Sequence, residues 1–210
     1  ELTVPCLVLP DVAHGNLAEW LSKLPFDETT TGTRLAVLGD VLTAIAEIHD
    51  RAIAHRDVGF GNVLVDHTTP GGYLGDFGAA QFGDASDDQT ILEAPTLRPI
   101  QPPPYGGGCS LQVEQHRDLY SFAVLATLTL AGRHPLTDRW QDLHDGRWTG
   151  PSDPYTTLAP RSLSTLGPWP TDDTPTWARR LEDPLLEVLR TPVSPGGPTT
   201  HDLVEIWPGP

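Results

Sequence analysis

Residues 52–80 read AIAHRDVGFGNVLVDHTTPGGYLGDFGAA, and this stretch decides the fold. Val63–Asp66 and Tyr73–Asp76 are two short runs suited to strands, and the HTTPGG between them carries a Pro-Gly-Gly turn signal. The pair is expected to fold back as a β-hairpin. AIAHRD, just upstream, reads as a short extended piece entering a loop. Before it, Leu38, Val41, Leu42, Ile45 and Ile48 recur at three- and four-residue spacing. That stripe predicts an amphipathic helix running to about Arg51. Thr33 is its candidate cap, and PFDETTTGT reads as the loop ahead of it. Leu17–Leu24 predicts a short helix stopped by Pro25, after a turn at residues 13–16. Val4–Leu9 reads as a buried strand ending at Pro10.

Downstream, Ala79–Gly108 has little periodicity and contains PIQPPPYGGG, which suits neither helix nor central strand. A long loop inside a compact domain tends to be functional. Asp118–Ala131 is apolar nearly all round, which predicts a helix in the middle of the domain, ended by Gly132 and Pro135. The remainder is rich in Pro and Trp, with one clear helix near Thr176–Arg190. The fold class is therefore α+β, mainly α, with one small β-hairpin.

Composition narrows the function. The chain has 210 residues, enough for one domain with a sizeable core. It carries 28 acidic against 13 basic residues, a formal net charge of -15. Such a surface repels phosphate backbones, so nucleic acid is excluded as the primary partner. Cys6 and Cys109 are too few for a disulfide framework and read as reduced thiols. No apolar run reaches the roughly eighteen residues of a membrane span, and no signal segment opens the chain. The expected compartment is the cytoplasm. The five tryptophans Trp140, Trp148, Trp169, Trp177 and Trp207 are expected to pack the irregular C-terminal part. The other histidines show no metal-ligand spacing among themselves.

His55-Arg56-Asp57 is followed, after four residues, by Asn62, and fourteen positions later by Asp76-Phe77-Gly78. Either tripeptide alone is weak. Together, in this order, on either side of a hairpin and after an amphipathic helix, they resemble the protein kinase superfamily, in its eukaryotic-like serine/threonine form. The likeness continues in LVLPDVAHGNLAEWL (7–21), similar to the last small-lobe strand, the hinge and the first large-lobe helix. DLYSFAVLATLTLAGRHPL (118–136) is similar to the buried central helix of the large lobe.

The resemblance implies a division of the chain. Residues 1–12 would be the last small-lobe strand and hinge. Residues 13–210 would be the large, C-terminal lobe, with 76–108 an activation-segment-like loop. The implied catalytic set is Asp57, Asn62, His55 and Arg56. Asp57 would face the acceptor hydroxyl. Asn62 and Asp76 would hold Mg²⁺ against the phosphates of ATP. Leu64 would form the floor under the adenine, Pro10 and Val12 would meet its edge through a carbonyl and an N–H, and Asn16 would contact the ribose. Gly78 would let the chain turn sharply. Arg56 matches the arginine that pairs with an activation-loop phosphate, for which Ser86, Thr90 and Thr96 are candidate acceptors. Asp118 matches an aspartate that braces the catalytic loop by accepting backbone N–H bonds; an ordinary helix cap is the other reading.

The sequence also departs from the family. It has no glycine-rich phosphate loop. Its only lysine, Lys23, falls after the hinge, where it does not grip the first two phosphates. Gly59 stands where serine/threonine kinases place a catalytic-loop lysine, which removes charge stabilisation from the transferring phosphate. No Ala-Pro-Glu closes the long loop, and the arginine that pairs with that glutamate is not evident in TPVSPGGPTTHDL. The chain opens on Glu1 without a methionine, so the small lobe is expected upstream or in another chain. Three functions follow: a phosphotransferase moving the ATP γ-phosphate to a Ser/Thr hydroxyl of a protein substrate; a pseudokinase or half-kinase that binds a partner protein; and a small-molecule kinase of the aminoglycoside or choline type.

Overall fold

The computed structural model describes residues 15–66, 71–83, 110–137, 159–169, 173–191 and 197–208. The readings placed on Val4–Leu9, Pro10, Val12, Cys6, Cys109, Trp140, Trp148, Ser86, Thr90, Thr96 and the hairpin tip at 67–70 lie outside these residues.

Helix α1 (Leu17–Lys23) starts at Asn16, whose side chain accepts the Glu19 amide at 3.0 Å. Helix α2 (Glu28–Asp50) begins five residues before Thr33, so most of the expected loop is helical. The cap is Asp27. Its carboxylate accepts the Thr29 and Thr30 amides at 3.0 and 3.2 Å, and the Thr29 hydroxyl holds Asp27 below the usual carboxylate range. The threonine run tolerates helix because its hydroxyls find local carbonyls: Thr30 donates to Pro25 at 2.8 Å and Thr31 to Asp27 at 3.2 Å.

Four short strands follow: β1 (Ile53–Ala54), β2 (Val63–Val65), β3 (Gly72–Leu74) and β4 (Gln81–Phe82). β2 and β3 form the expected antiparallel hairpin pair, with Val63 opposite Leu74. β1 and β4 make a second antiparallel pair that the sequence does not announce, because two-residue strands carry no period. Helix α3 (Leu111–Ala131) starts seven residues before Asp118. Ser110 caps it through the Val113 amide, and Gly132 ends it in the left-handed region at φ 68°. Its first turns are polar, so an apolar pattern alone places the start too late.

Three further helices complete the described chain: α4 (Leu163–Leu166), α5 (Thr176–Arg190) and α6 (Thr200–Ile206). α3 is buried on every side from Asp118 to Thr127. Leu38, Leu42 and Ile45 of α2, Leu181 and Leu185 of α5, and Leu203 of α6 share its core. Trp207 closes the α2–α3 seam: its ring lies 5.4 Å from Phe122 and its indole N–H donates to Leu35 at 2.9 Å. Trp169 and Trp177 meet edge to face at 5.4 Å. These three tryptophans pack the core, as expected. No described helix is long and apolar enough to cross a membrane.

The hairpin lies flat on α2. A Cβ on Gly72 would meet the Val37 carbonyl oxygen at 2.3 Å and a Val41 methyl at 2.9 Å. Neither helix backbone nor sheet yields easily, so Gly72→Ala is expected to cost about 3 kcal/mol in urea unfolding. An unchanged midpoint would show that the hairpin does not sit on α2.

His116 gives the fold a pH dependence. Its ring is buried and donates from Nε2 to the Thr191 carbonyl. Burial lowers its pKa below 6.5, and that hydrogen bond opposes only part of the effect. Below pH 6.5 the unfolded chain binds a proton here that the folded chain resists, so stability falls with pH. The urea midpoint is expected to drop between pH 7.5 and 5.5, and to drop less in His116→Gln.

Candidate functional site

Strand pairing builds the site. β1 delivers the chain into His55, and β2–β3 pairing sets Asn62 beside Gly75, whose amide donates to the Asn62 carbonyl at 2.8 Å. The His55 ring crosses to the same place. Its Nδ1 accepts the Asp57 amide at 3.3 Å, which leaves Nε2–H to donate to the Gly75 carbonyl at 2.9 Å. Phe77 meets the His55 ring edge to face at 4.8 Å. The loops 55–62 and 75–80 are thereby fastened side by side.

Within the first loop, Asn62 donates from Nδ2 to the Asp57 carbonyl and to Asp57 Oδ2, both at 2.8 Å. Both amide hydrogens are committed, so Oδ1 is the Asn62 atom left to accept or to ligate. The Gly59 carbonyl accepts the Asn62 and Val63 amides at 3.0 and 3.1 Å, which closes the turn. Asp76 takes the left-handed conformation at φ 57° and accepts the Gly78 amide on Oδ1 at 3.2 Å. The sharp turn expected of Gly78 is thus made by Asp76, and Gly78 sits in a single 3-10 turn (Phe77–Ala79).

Beneath the loop lies Asp118, 1% exposed. Its Oδ2 accepts the His55 amide at 2.6 Å and its Oδ1 the Arg56 amide at 2.7 Å. His49 Nε2–H donates to Oδ2 at 3.2 Å, and its Nδ1 accepts the Thr200 hydroxyl at 2.8 Å. Asp118 therefore caps no helix; it sits well inside α3 and holds the loop. The Arg56 backbone is left-handed, φ 66°, a conformation an arginine keeps only where its surroundings fix it. Its guanidinium reaches Glu114 at 3.7 Å, and Arg117 reaches the same carboxylate at 3.4 Å. Glu114 and His49 escaped the sequence reading. Glu114 stands one helical turn before Asp118 on the same face of α3, a signal visible only once the helix start is placed correctly.

Of the residues expected to meet the nucleotide, Leu64 and Asn16 come together as a β-bridge, and Val65 donates to the Gly15 carbonyl at 3.2 Å. The Asn16 side chain serves as the α1 cap. Lys23 is exposed at the end of α1. No cluster of three or more His, Cys, Asp or Glu occurs among the described residues. The two residues expected to hold a metal would offer one amide oxygen, from Asn62, and one carboxylate, from Asp76. That suits Mg²⁺, which takes few protein oxygens and completes its shell with phosphate and water.

Comparison with known proteins gives the family. The family described as "Protein kinase domain" matches residues 3–147. The chain belongs to the protein kinase family. Members of that family use ATP and a divalent metal. Among curated relatives, this kinase chain is 29% identical over 133 residues to a putative L-type lectin-domain containing receptor kinase I.11 of Arabidopsis thaliana. The match covers 62% of the chain and 19% of the relative. It is 31% identical over 133 residues to the serine/threonine-protein kinase-like protein CCR4 of the same plant, covering 60% of the chain and 17% of the relative. It is 32% identical over 139 residues to serine/threonine-protein kinase pkn2 of Myxococcus xanthus, covering 62% and 16%. The kinase chain thus spans less than a fifth of the length of these relatives.

Proposed function

We propose that these residues are the large lobe of a serine/threonine protein kinase and transfer the ATP γ-phosphate to a protein hydroxyl. The observation that carries the reading is the pair of 2.8 Å hydrogen bonds from Asn62 to Asp57. They aim the Asp57 carboxylate and leave Asn62 Oδ1 for a metal.

In this reading Asp57 accepts the proton of the acceptor hydroxyl as the oxygen attacks. Asn62 Oδ1 and the Asp76 carboxylate hold Mg²⁺, which when bound neutralises charge on the phosphates. His55 ties together the two loops that carry these oxygens. Leu64 would support the adenine and Asn16 the ribose, with the Pro10 carbonyl and Val12 N–H at the adenine edge. Residues 1–12 would form the last small-lobe strand and hinge, and 76–108 the activation segment. No lysine or arginine lies before α1 to grip the first two phosphates, and in this reading a small lobe, upstream or in another chain, would supply that cation.

The Gly59 departure favours a second reading, a pseudokinase that binds a partner protein. A transfer assay separates the two. The polypeptide carrying these residues in its native reading frame is given labelled Mg²⁺-ATP and a serine- and threonine-containing protein. Acid-stable phosphoserine or phosphothreonine supports the kinase. Label on neither the protein nor the chain itself, with a partner captured regardless, supports the binding module.

A further inference from the structure

At the far end of α2 from the catalytic loop lies a cavity of about 520 Å³, a size typical of small-molecule sites. Arg34, which lines it, is separated from the end of α2 at Asp50 by about 24 Å of helix. The walls are aromatic and aliphatic: Phe26, Leu130, Trp169 and Trp177, with Pro168 and Pro175.

Two of the residues lining it carry a buried N–H donor with no acceptor. Arg34 is 4% exposed. Its Nη1 donates to the Thr129 carbonyl at 2.7 Å, its Nη2 to the Pro25 carbonyl at 3.0 Å, and its guanidinium carbon lies 4.4 Å over the Phe26 ring. Nε is buried without a partner, and so is the indole nitrogen of Trp169. A buried donor left unmade is costly, and a buried cation held only by neutral carbonyls more so. Asp27 acts on Arg34 through its field alone, and burial pushes the guanidinium below the ordinary arginine pKa.

We propose that this cavity binds an aromatic monocarboxylic acid, whose carboxylate takes the N–H groups of Arg34 and Trp169 and whose ring fills the space between Phe26, Leu130 and Trp177. The carboxylate supplies the missing acceptors and the missing counter-charge together. The apolar body is set by the walls. Asp27 and Glu28 line the same cavity, and their charge repels phosphates and other polyanions. The site is thus chemically distinct from one for a nucleotide.

The probe is 1-naphthoate, with 1-naphthylmethanol as its uncharged counterpart, added to the 210-residue chain. Saturable quenching of tryptophan fluorescence and a rise in Tm are expected with the acid, and affinity roughly tenfold or more weaker for the alcohol. Trp169→Phe keeps the ring and deletes the N–H, so the acid should bind about fivefold more weakly while the protein stays folded. Thr31→Trp fills the cavity from α2 and leaves residue 34 an arginine, and should abolish binding. Equal affinity for acid and alcohol, unaltered affinity in Trp169→Phe, survival of binding in a folded Thr31→Trp, or no saturable signal would each overturn the proposal.

Discussion

Replacing Asp118 with alanine is expected to remove about 4 kcal/mol of folding stability, read as a lowered urea midpoint at pH 7. The magnitude follows from what one carboxylate holds. Two backbone amides, those of His55 and Arg56, point at it from 2.6 and 2.7 Å, and neither has another acceptor among the described residues. Each buried donor left unmade costs about 1–3 kcal/mol. The His49 ring loses its acceptor as well, and its hydroxyl partner Thr200 begins α6. The loss is a large share of the roughly 5–15 kcal/mol that a domain has. Asp118→Asn should fall between. Its one carbonyl oxygen serves one amide, and its NH₂ group faces the other donor-to-donor. An exposed helix cap would cost only about 1 kcal/mol when truncated. A loss of that size in Asp118→Ala would show that the brace is not formed in solution.

That prediction depends on where α3 begins, and the start of α3 marks the limit of the sequence reading. Residues whose burial is periodic were legible. The α2 stripe, the all-round apolar centre of α3 and the Pro-Gly-Gly hairpin each announce their own surroundings through spacing or turn chemistry. Residues 55–57, 62 and 76–78 stood out for a different reason: their order and spacing resemble a string whose side chains phosphoryl transfer would restrict. Polar helix ends carry neither signal. Glu28–Gly32 and Leu111–Arg117 are held by the caps Asp27 and Ser110 and by tertiary packing, and threonine-rich or charged segments look like loop until those caps are seen. The same blindness hid Glu114 from the site and suggested a helix cap for Asp118. The extended run at Ile53–Ala54 was legible, but its pairing with β4 was beyond reach, because it joins residues far apart in the chain and two residues have no period to read.

Stability and chemistry should separate cleanly at Asp57. In the transfer assay, Asp57→Asn is expected to reduce the rate by about 10²–10⁴, the range assigned to a positioned general base. The fold should lose little, because an asparagine there still offers an oxygen to the Asn62 amide at the position now held by Oδ2. The backbone carbonyl of residue 57 also keeps its own bond from Asn62 Nδ2. A urea midpoint within about 1 kcal/mol of wild type, beside the lost transfer, would therefore assign the defect to proton acceptance and not to a collapsed loop. The pairing with Asp118→Ala sharpens the test: one carboxylate lies under the loop and governs its shape, and the other is bonded to Asn62 within the loop and should govern the reaction. Transfer at the wild-type rate in a folded Asp57→Asn would remove Asp57 from the mechanism, and with it the phosphotransferase reading of this site.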